Sequence, residues 1–275
     1  MPKPANDRPL LYSAFVMNTP SHVIHGLWRD PTAANHEINS LEHWVDLARY
    51  LDGAGYDLMF FADVSGLRSP WNGSYELVAR EGMQIPTNDP SVLISALATA
   101  TKNLGLVYTS SIAQSLPFDF ARRISTLDHY TRGRVGWNIV TSFSDNTYRN
   151  YGHDKLVEHD LRYEIAEEYV DVLYKLWEGS WDEDALRADK QAGVHADAAK
   201  IHKINHVGQH FSVEGAALRD TVAAARSGAV SGRRVAGRPA LLGAQRRGSV
   251  HLQPGPRIGA RVDRRDAGTG SRLRA

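Results

Sequence analysis

Several polar residues stand where they could hold or react with a ligand. Asp63 directly follows the apolar run Leu58-Met59-Phe60-Phe61-Ala62. A carboxylate there either accepts backbone N–H groups of the next loop or meets a ligand. Thr109 and Asn138 lie in two later apolar runs, toward their ends. Neutral groups that donate and accept suit a neutral heterocycle such as a flavin ring or a nucleobase, and equally a satisfied loop end. Glu158-His159-Asp160-Leu161-Arg162-Tyr163 opens a long helical pattern. His159 and Tyr163 are four apart and share a helix face. The free N–H groups and positive dipole end of such a start favour an anion. An imidazole, a phenol and the Arg162 guanidinium would suit a phosphate; a helix start with surface charges is the alternative. His202, His206 and His210 are spaced like a metal comb, but only one continuous helix would bring them together. Val207-Gly208-Gln209 reads as a turn into the strand His210–Val213, so no metal site is expected. The chain has no Cys, which excludes a thiolate metal site, a Cys nucleophile and a disulfide scaffold. It has no G-x-S-x-G for a Ser hydrolase and no H-E-x-x-H for a zinc protease. Gly268-Thr269-Gly270 has no preceding strand and is no phosphate loop.

The elements that must position these groups alternate in type. Leu10–Met17 predicts a buried strand. Ser40 stands as N-cap to a helix whose Leu41, Trp44, Val45, Ala48 and Leu51 recur at helical spacing, and Gly53 and Gly55 end it. Leu58–Ala62 is a second strand. Asn88-Asp89-Pro90 starts a helix running to about Thr101. Leu104–Ser110 is the third strand, 117–131 a helix with Gly133 as C-cap, and Val135–Thr141 the fourth strand. A long amphipathic helix covers 158–178. The order β-α-β-α-β-α-β-α implies an α/β fold with a parallel sheet covered on both faces, closed either as a (β/α)8 barrel or as a doubly wound sheet. No G-x-G-x-x-G follows the first strand, which weakens the doubly wound dinucleotide fold. In a barrel, polar residues at strand C-termini line the site. Asn18, His22, Asp63, Thr109, Ser110, Asn138, Thr141 and Ser142 fall at those ends and favour the barrel.

The 275 residues are long enough for a sizeable core, and 42% apolar with 9% aromatic residues excludes wholesale disorder. No apolar run reaches the roughly 18 residues of a membrane helix. Leu10–Met17 is short and lacks a small-x-small cleavage site, so a first strand is expected rather than a signal peptide. A cytoplasmic protein without membrane or nucleic-acid partners is the expectation. The net charge of +1 averages two unlike pieces. Residues 1–216 hold 19 Lys+Arg and 28 Asp+Glu, whereas 217–275 hold 13 Arg, no Lys and three acids. All Phe, Tyr and Trp precede Ala216. A segment without aromatics has few large groups to bury against its ordering entropy. The boundary is therefore set at 216. The rest reads as a frame-shifted or disordered tail; its lack of Lys argues against a nucleic-acid arm.

Eight segments in order, Phe15–Asn18, His25–Arg29, Phe61–Val64, Gln84–Pro90, Ala121–His129, Gly133–Ser142, Glu158–Tyr163 and Leu176–Trp181, resemble the bacterial luciferase-like flavin monooxygenases. The branch is that of nitrilotriacetate monooxygenase component A, dibenzothiophene-sulfone monooxygenase and long-chain alkane monooxygenase. The resemblance implies a TIM (β/α)8 barrel of the luciferase-like type, with the first half plus an insertion region present. It implies a two-component monooxygenase that uses reduced FMN from a separate NAD(P)H:flavin reductase, with O2 as co-substrate, to oxidise a small organic substrate. It leaves a homo-oligomer open. By resemblance Asp63 and Thr109 lie near the flavin ring, Asn138 is a further ring contact, and His159 and Tyr163 lie on the ribityl-phosphate side. His22 is the candidate catalytic residue on the substrate side. Phe143 stands where the alkane enzyme has a His, so that base is not carried over. After Gly215 the family continues into the second half of the barrel, with a Gln-Ala-Gly-x-Ser-type phosphate loop not found in this chain. A truncated member is therefore expected. The alternatives are a deazaflavin-dependent oxidoreductase and an inactive fragment.

Overall fold

The computed structural model describes residues 11–220 apart from residues 23, 35, 36 and 69. Of the expected tail 217–275, residues 221–275 lie outside the described residues, as does Leu10 at the start of the first strand. Four parallel strands, β1 (Ser13–Met17), β2 (Leu58–Ala62), β3 (Gly105–Ser111) and β4 (Val135–Val140), form one sheet in chain order. Among the described residues β1 and β4 are its edges. Sequential order leaves no point where the strand order reverses, which a doubly wound sheet requires.

The helices α1 (Leu41–Gly53), α3 (Pro90–Ala100), α4 (Pro117–Thr131) and α6 (His159–Gly179) follow the four strands in turn. Shorter helices α2 (Glu76–Glu81) and α5 (Asp145–Asn150) sit in the connections after β2 and β4. The Ser40 hydroxyl accepts from the His43 N–H and the Asp89 carboxylate from the Ser91 N–H, so the expected caps of α1 and α3 are formed. Arg132 and Gly133, at φ 56° and 79°, turn the chain from α4 into β4 in the left-handed region.

The alternation of the strands divides the sheet into two faces. Met59, Phe61, Leu106, Tyr108, Val135 and Trp137 join Ile94, Leu97, Phe120, Ile124, Tyr169 and Leu173 of the helices in one core. The other face carries Phe15, Phe60, Thr109 and Asn138. The helices pack on the first face; the second is the face that points inward in the barrel closure, which sequential strand order favours over the doubly wound one.

After α6 come two hairpins that the sequence pattern did not resolve, β5 (Leu186–Asp189) with β6 (Val194–Ala196), and β7 (Lys203–Val207) with β8 (Ser212–Gly215). The strand expected at His210–Val213 is β8, shifted two residues on. The turn at Gly208 separates His206 from His210, so the three histidines share no helix. Among the described residues no group of His, Asp and Glu is placed to hold a metal. His206 instead bridges Glu168 and Lys175 of α6, at 3.1 and 3.0 Å, and fixes the second hairpin to that helix. Among the described residues no helix is long and apolar enough to cross a membrane.

Candidate functional site

The C-terminal ends of β2, β3 and β4 and the start of α6 enclose a cleft of about 930 Å³. Its walls include Asp63, Thr109, Asn138, His159 and Tyr163. Five of the six residues to which the resemblance gives a cofactor or catalytic role thus line one cleft, from Asp63 to Tyr163. His22 is not in that wall. Its ring meets that of Phe15 at a tilt of 56°, with centroids 4.5 Å apart, and Phe15 does line the cleft. Burial lowers the His22 pKa, which keeps it neutral near pH 7.

Register explains the convergence of the neutral pair. Thr109 of β3 lies opposite Asn138 of β4. The Thr109 hydroxyl donates to the Phe61 carbonyl at 2.9 Å and accepts from Asn138 Nδ2 at 3.0 Å. Thr109 therefore orients Asn138, whose amide is left with Oδ1 and one N–H for a ligand. Gln114 organises the neighbouring wall. Its Oε1 accepts from the Ser110 hydroxyl at 2.6 Å and the Ser111 N–H at 2.8 Å, which turns its NH2 toward the Asp63 carboxylate.

Asp63 accepts from its loop, at the Val64 N–H, and also lines the cleft. Burial, with the nearby Asp89 charge, pushes its pKa up to about 6, against the pull of the Val64 and Gln114 hydrogen bonds. The consequence for stability has a definite sign. Between pH 4 and 6 the folded chain binds more protons at Asp63 than the unfolded chain, so this group's contribution to stability falls as pH rises through that window and stays low above it. Asp63→Asn is expected to stabilise the folded chain by on the order of 1–2 kcal/mol at pH 7.5 and by little at pH 4. Urea unfolding at the two pH values checks this; an equal effect at both would remove the titration from the account.

The loop after β2 forms a roof held by α5. Leu67 N–H donates to Asn146 Oδ1 at 2.7 Å, and Asn150 Nδ2 donates to the Ser65 carbonyl at 3.1 Å. Gly66 permits this approach, since a Cβ there would lie 2.7 Å from the Thr147 hydroxyl. At the other wall, α6 begins with no side-chain cap, leaving N–H groups free. The His159 and Tyr163 rings are in tilted contact, with centroids 4.8 Å apart, and His159 Nδ1 meets Asp160 at 2.8 Å. Arg162 is 9% exposed; its Nη1 donates to the Ser142 carbonyl, and its Nε is buried without an acceptor among the described residues. An imidazole, a phenol, a guanidinium and an uncapped helix start thus stand side by side, donors of the kind that bind an anion.

Sequence reasoning passed over Gln114, Ser111, Arg68 and the aromatic pair Phe15 and Phe60, whose rings are 5.1 Å apart. Period-two alternation could have placed Phe15 and Phe60 on the inner face. Gln114 and Arg68 sit in loops and carry no periodic signal.

The family described as luciferase-like monooxygenase matches residues 22–252. The long-chain alkane monooxygenase of Geobacillus thermodenitrificans is 45% identical over 203 residues, 74% of this chain and 46% of its own length. A solved structure of a long-chain alkane monooxygenase superposes with a TM-score of 0.76 at 42% identity, covering 79% of this chain and 50% of that one. The dimethyl-sulfide monooxygenase of Hyphomicrobium sulfonivorans is 44% identical over 206 residues, 75% of this chain and 43% of its own length. A riboflavin lyase solved with modified FMN and riboflavin superposes at a TM-score of 0.73 with 35% identity, covering 78% of this chain and 48% of that one. The chain spans about half the length of the curated relatives it matches.

Proposed function

Because the chain belongs to the luciferase-like monooxygenase family, with its parallel strands forming part of a TIM barrel, we propose that the cleft binds FMN in a two-component monooxygenase acting on a small organic substrate. The observation that carries this reading is the meeting, in one cleft, of a neutral hydrogen-bonding wall and an anion cradle. Asn138 and Asp63 would face the ring, and His159, Arg162 and Tyr163 would hold the phosphate. Arg162 lines the cleft beside His159 and Tyr163, so its guanidinium would face the phosphate. Reduced FMN, when bound, would supply the activation of O2 and the transfer of one oxygen atom to the substrate.

This chain's own groups would bind, orient and shield. Thr109 holds the Asn138 amide in one orientation, so the ring would meet a fixed partner. Phe15, Phe60 and Phe143 present apolar surface that would exclude water from the reacting atoms. Asp63, with its pKa near 6, would be mostly ionised at pH 7.5 and able to accept a hydrogen bond from a ring N–H. His22, in ring contact with Phe15, would act on the substrate side. A separate flavin reductase as electron donor follows from the family resemblance.

Titration of the 275-residue chain with FMN, followed by flavin fluorescence under air and with dithionite-reduced flavin under anaerobiosis, tests the reading. Saturable binding in the micromolar range is expected, with riboflavin binding at least about tenfold more weakly because it lacks the phosphate. A folded chain that saturates with neither form of FMN would refute it.

A further inference from the structure

The cleft contains one cation to which the flavin reading assigns no task. Arg68 lies in the wall on the loop after β2, whereas Arg162 lies at the start of α6. The Arg68 Nε donates to Gln84 Oε1 at 3.0 Å. Gln84 is buried and held at φ 58°, so this partner is a fixed, neutral amide. The arginines that form ion pairs among the described residues are Arg29, Arg49, Arg80, Arg123 and Arg219. Arg68 is not one of them. Gln84 takes one of the five N–H donors of its guanidinium and cancels none of its charge.

This arrangement differs from an ordinary loop staple. A staple needs one hydrogen bond, which an uncharged residue would make without placing a guanidinium in a cleft. Here the Gln84 bond restricts the rotation of the planar group, and a planar group so held offers paired donors to a carboxylate or sulfonate. The apolar surface of Phe15, Phe60 and Leu67 lines the same cleft. Charge at one end and apolar surface beside it match an organic anion with a hydrocarbon body.

Resting on the reading of the cleft as a monooxygenase site, we propose that Arg68 is the specificity-determining residue for an anionic substrate, its carboxylate or sulfonate bound to the guanidinium and its apolar part lying against Phe15 and Phe60. A site built to bond a charged group rejects the neutral isostere more sharply than a greasy pocket discriminates by size.

Calorimetric titration of the 275-residue chain with hexanoate and with hexanamide at pH 7.5, with and without FMN, tests this. Hexanoate is expected to bind at least about tenfold more tightly than hexanamide. Arg68→Gln should remove the preference, and Arg68→Lys should restore part of it. Equal affinities for the two probes, no binding of hexanoate, or a preference that survives in Arg68→Gln but vanishes in Arg162→Gln would each overturn the proposal. FMN affinity is read separately on the same samples. Hexanoate preference without FMN binding would sink the flavin reading alone, and FMN binding without the preference would sink Arg68 alone.

Discussion

Arg162→Met is expected to lower FMN affinity by about 100-fold while leaving riboflavin affinity within a few-fold of the parent value. The side chain is 9% exposed, its Nη1 is committed to the Ser142 carbonyl, and its Nε has no acceptor among the described residues. The guanidinium lines the cleft, and a charge-assisted bond from it to a phosphate oxygen would contribute roughly 1.5–3 kcal/mol. Loss of about 2.7 kcal/mol corresponds to the 100-fold change. Methionine keeps the length and apolar stem and removes every donor. Riboflavin supplies the control: it carries the same ring and ribityl chain without the phosphate. An arginine that acts on the phosphate changes the ratio of the two affinities. An arginine that merely supports the loop at Ser142, held at φ 61°, changes both alike. Equal losses for FMN and riboflavin would move the phosphate elsewhere. Arg162→Lys should fall between, since an ammonium keeps the charge without the fork.

Arg134→Leu is expected to destabilise the chain by about 3–4 kcal/mol and to lower the urea midpoint by more than about 1 M. Arg134 precedes β4 at the opposite end of the sheet from the cleft. Its buried guanidinium donates to the Thr131, Leu104, Ala98 and Thr101 carbonyls and to the Thr101 hydroxyl, at 2.8–3.3 Å. Two of those carbonyls, Ala98 and Thr101, belong to the end of α3, where helical partners run out. Leucine fills part of the volume but leaves several buried acceptors without donors. Asp52 contributes from the same end, its carboxylate accepting the Lys102, Asn103 and Leu104 N–H groups. Because the network lies away from the ligand groups, FMN affinity in the folded fraction should be unaffected. Chemical denaturation combined with flavin titration separates the two effects. A stable Arg134→Leu variant would mean that water replaces the guanidinium at those carbonyls.

The alternation of apolar runs and capped helices already gave the four β/α units, within a residue or two at most ends. Those signals are local: Ser40 caps α1 through its own neighbour three residues on, and Asp89 caps α3 two residues on. The short helices α2 and α5 gave no such signal, because one and a half turns hold too few residues for a periodic pattern. The candidate residues at strand ends were also legible. A parallel strand in a βαβ array delivers its C-terminal residue to one side of the sheet whatever the loops do.

Residue order alone settled the kinds of group this cleft could contain, since caps, runs and helix faces depend on neighbours within a few positions. Which groups touch was a tertiary decision. The pairing of Thr109 with Asn138 depends on strand register, the turning of Gln114 toward Asp63 on a loop, and the burial of Arg162 on how α6 docks. His22 shows the same limit, since its strand-end position was readable but its contact with the Phe15 ring, outside the cleft wall, was not. Register, loop path and helix docking are fixed by contacts between residues far apart in the chain, and a one-dimensional pattern carries no term for them.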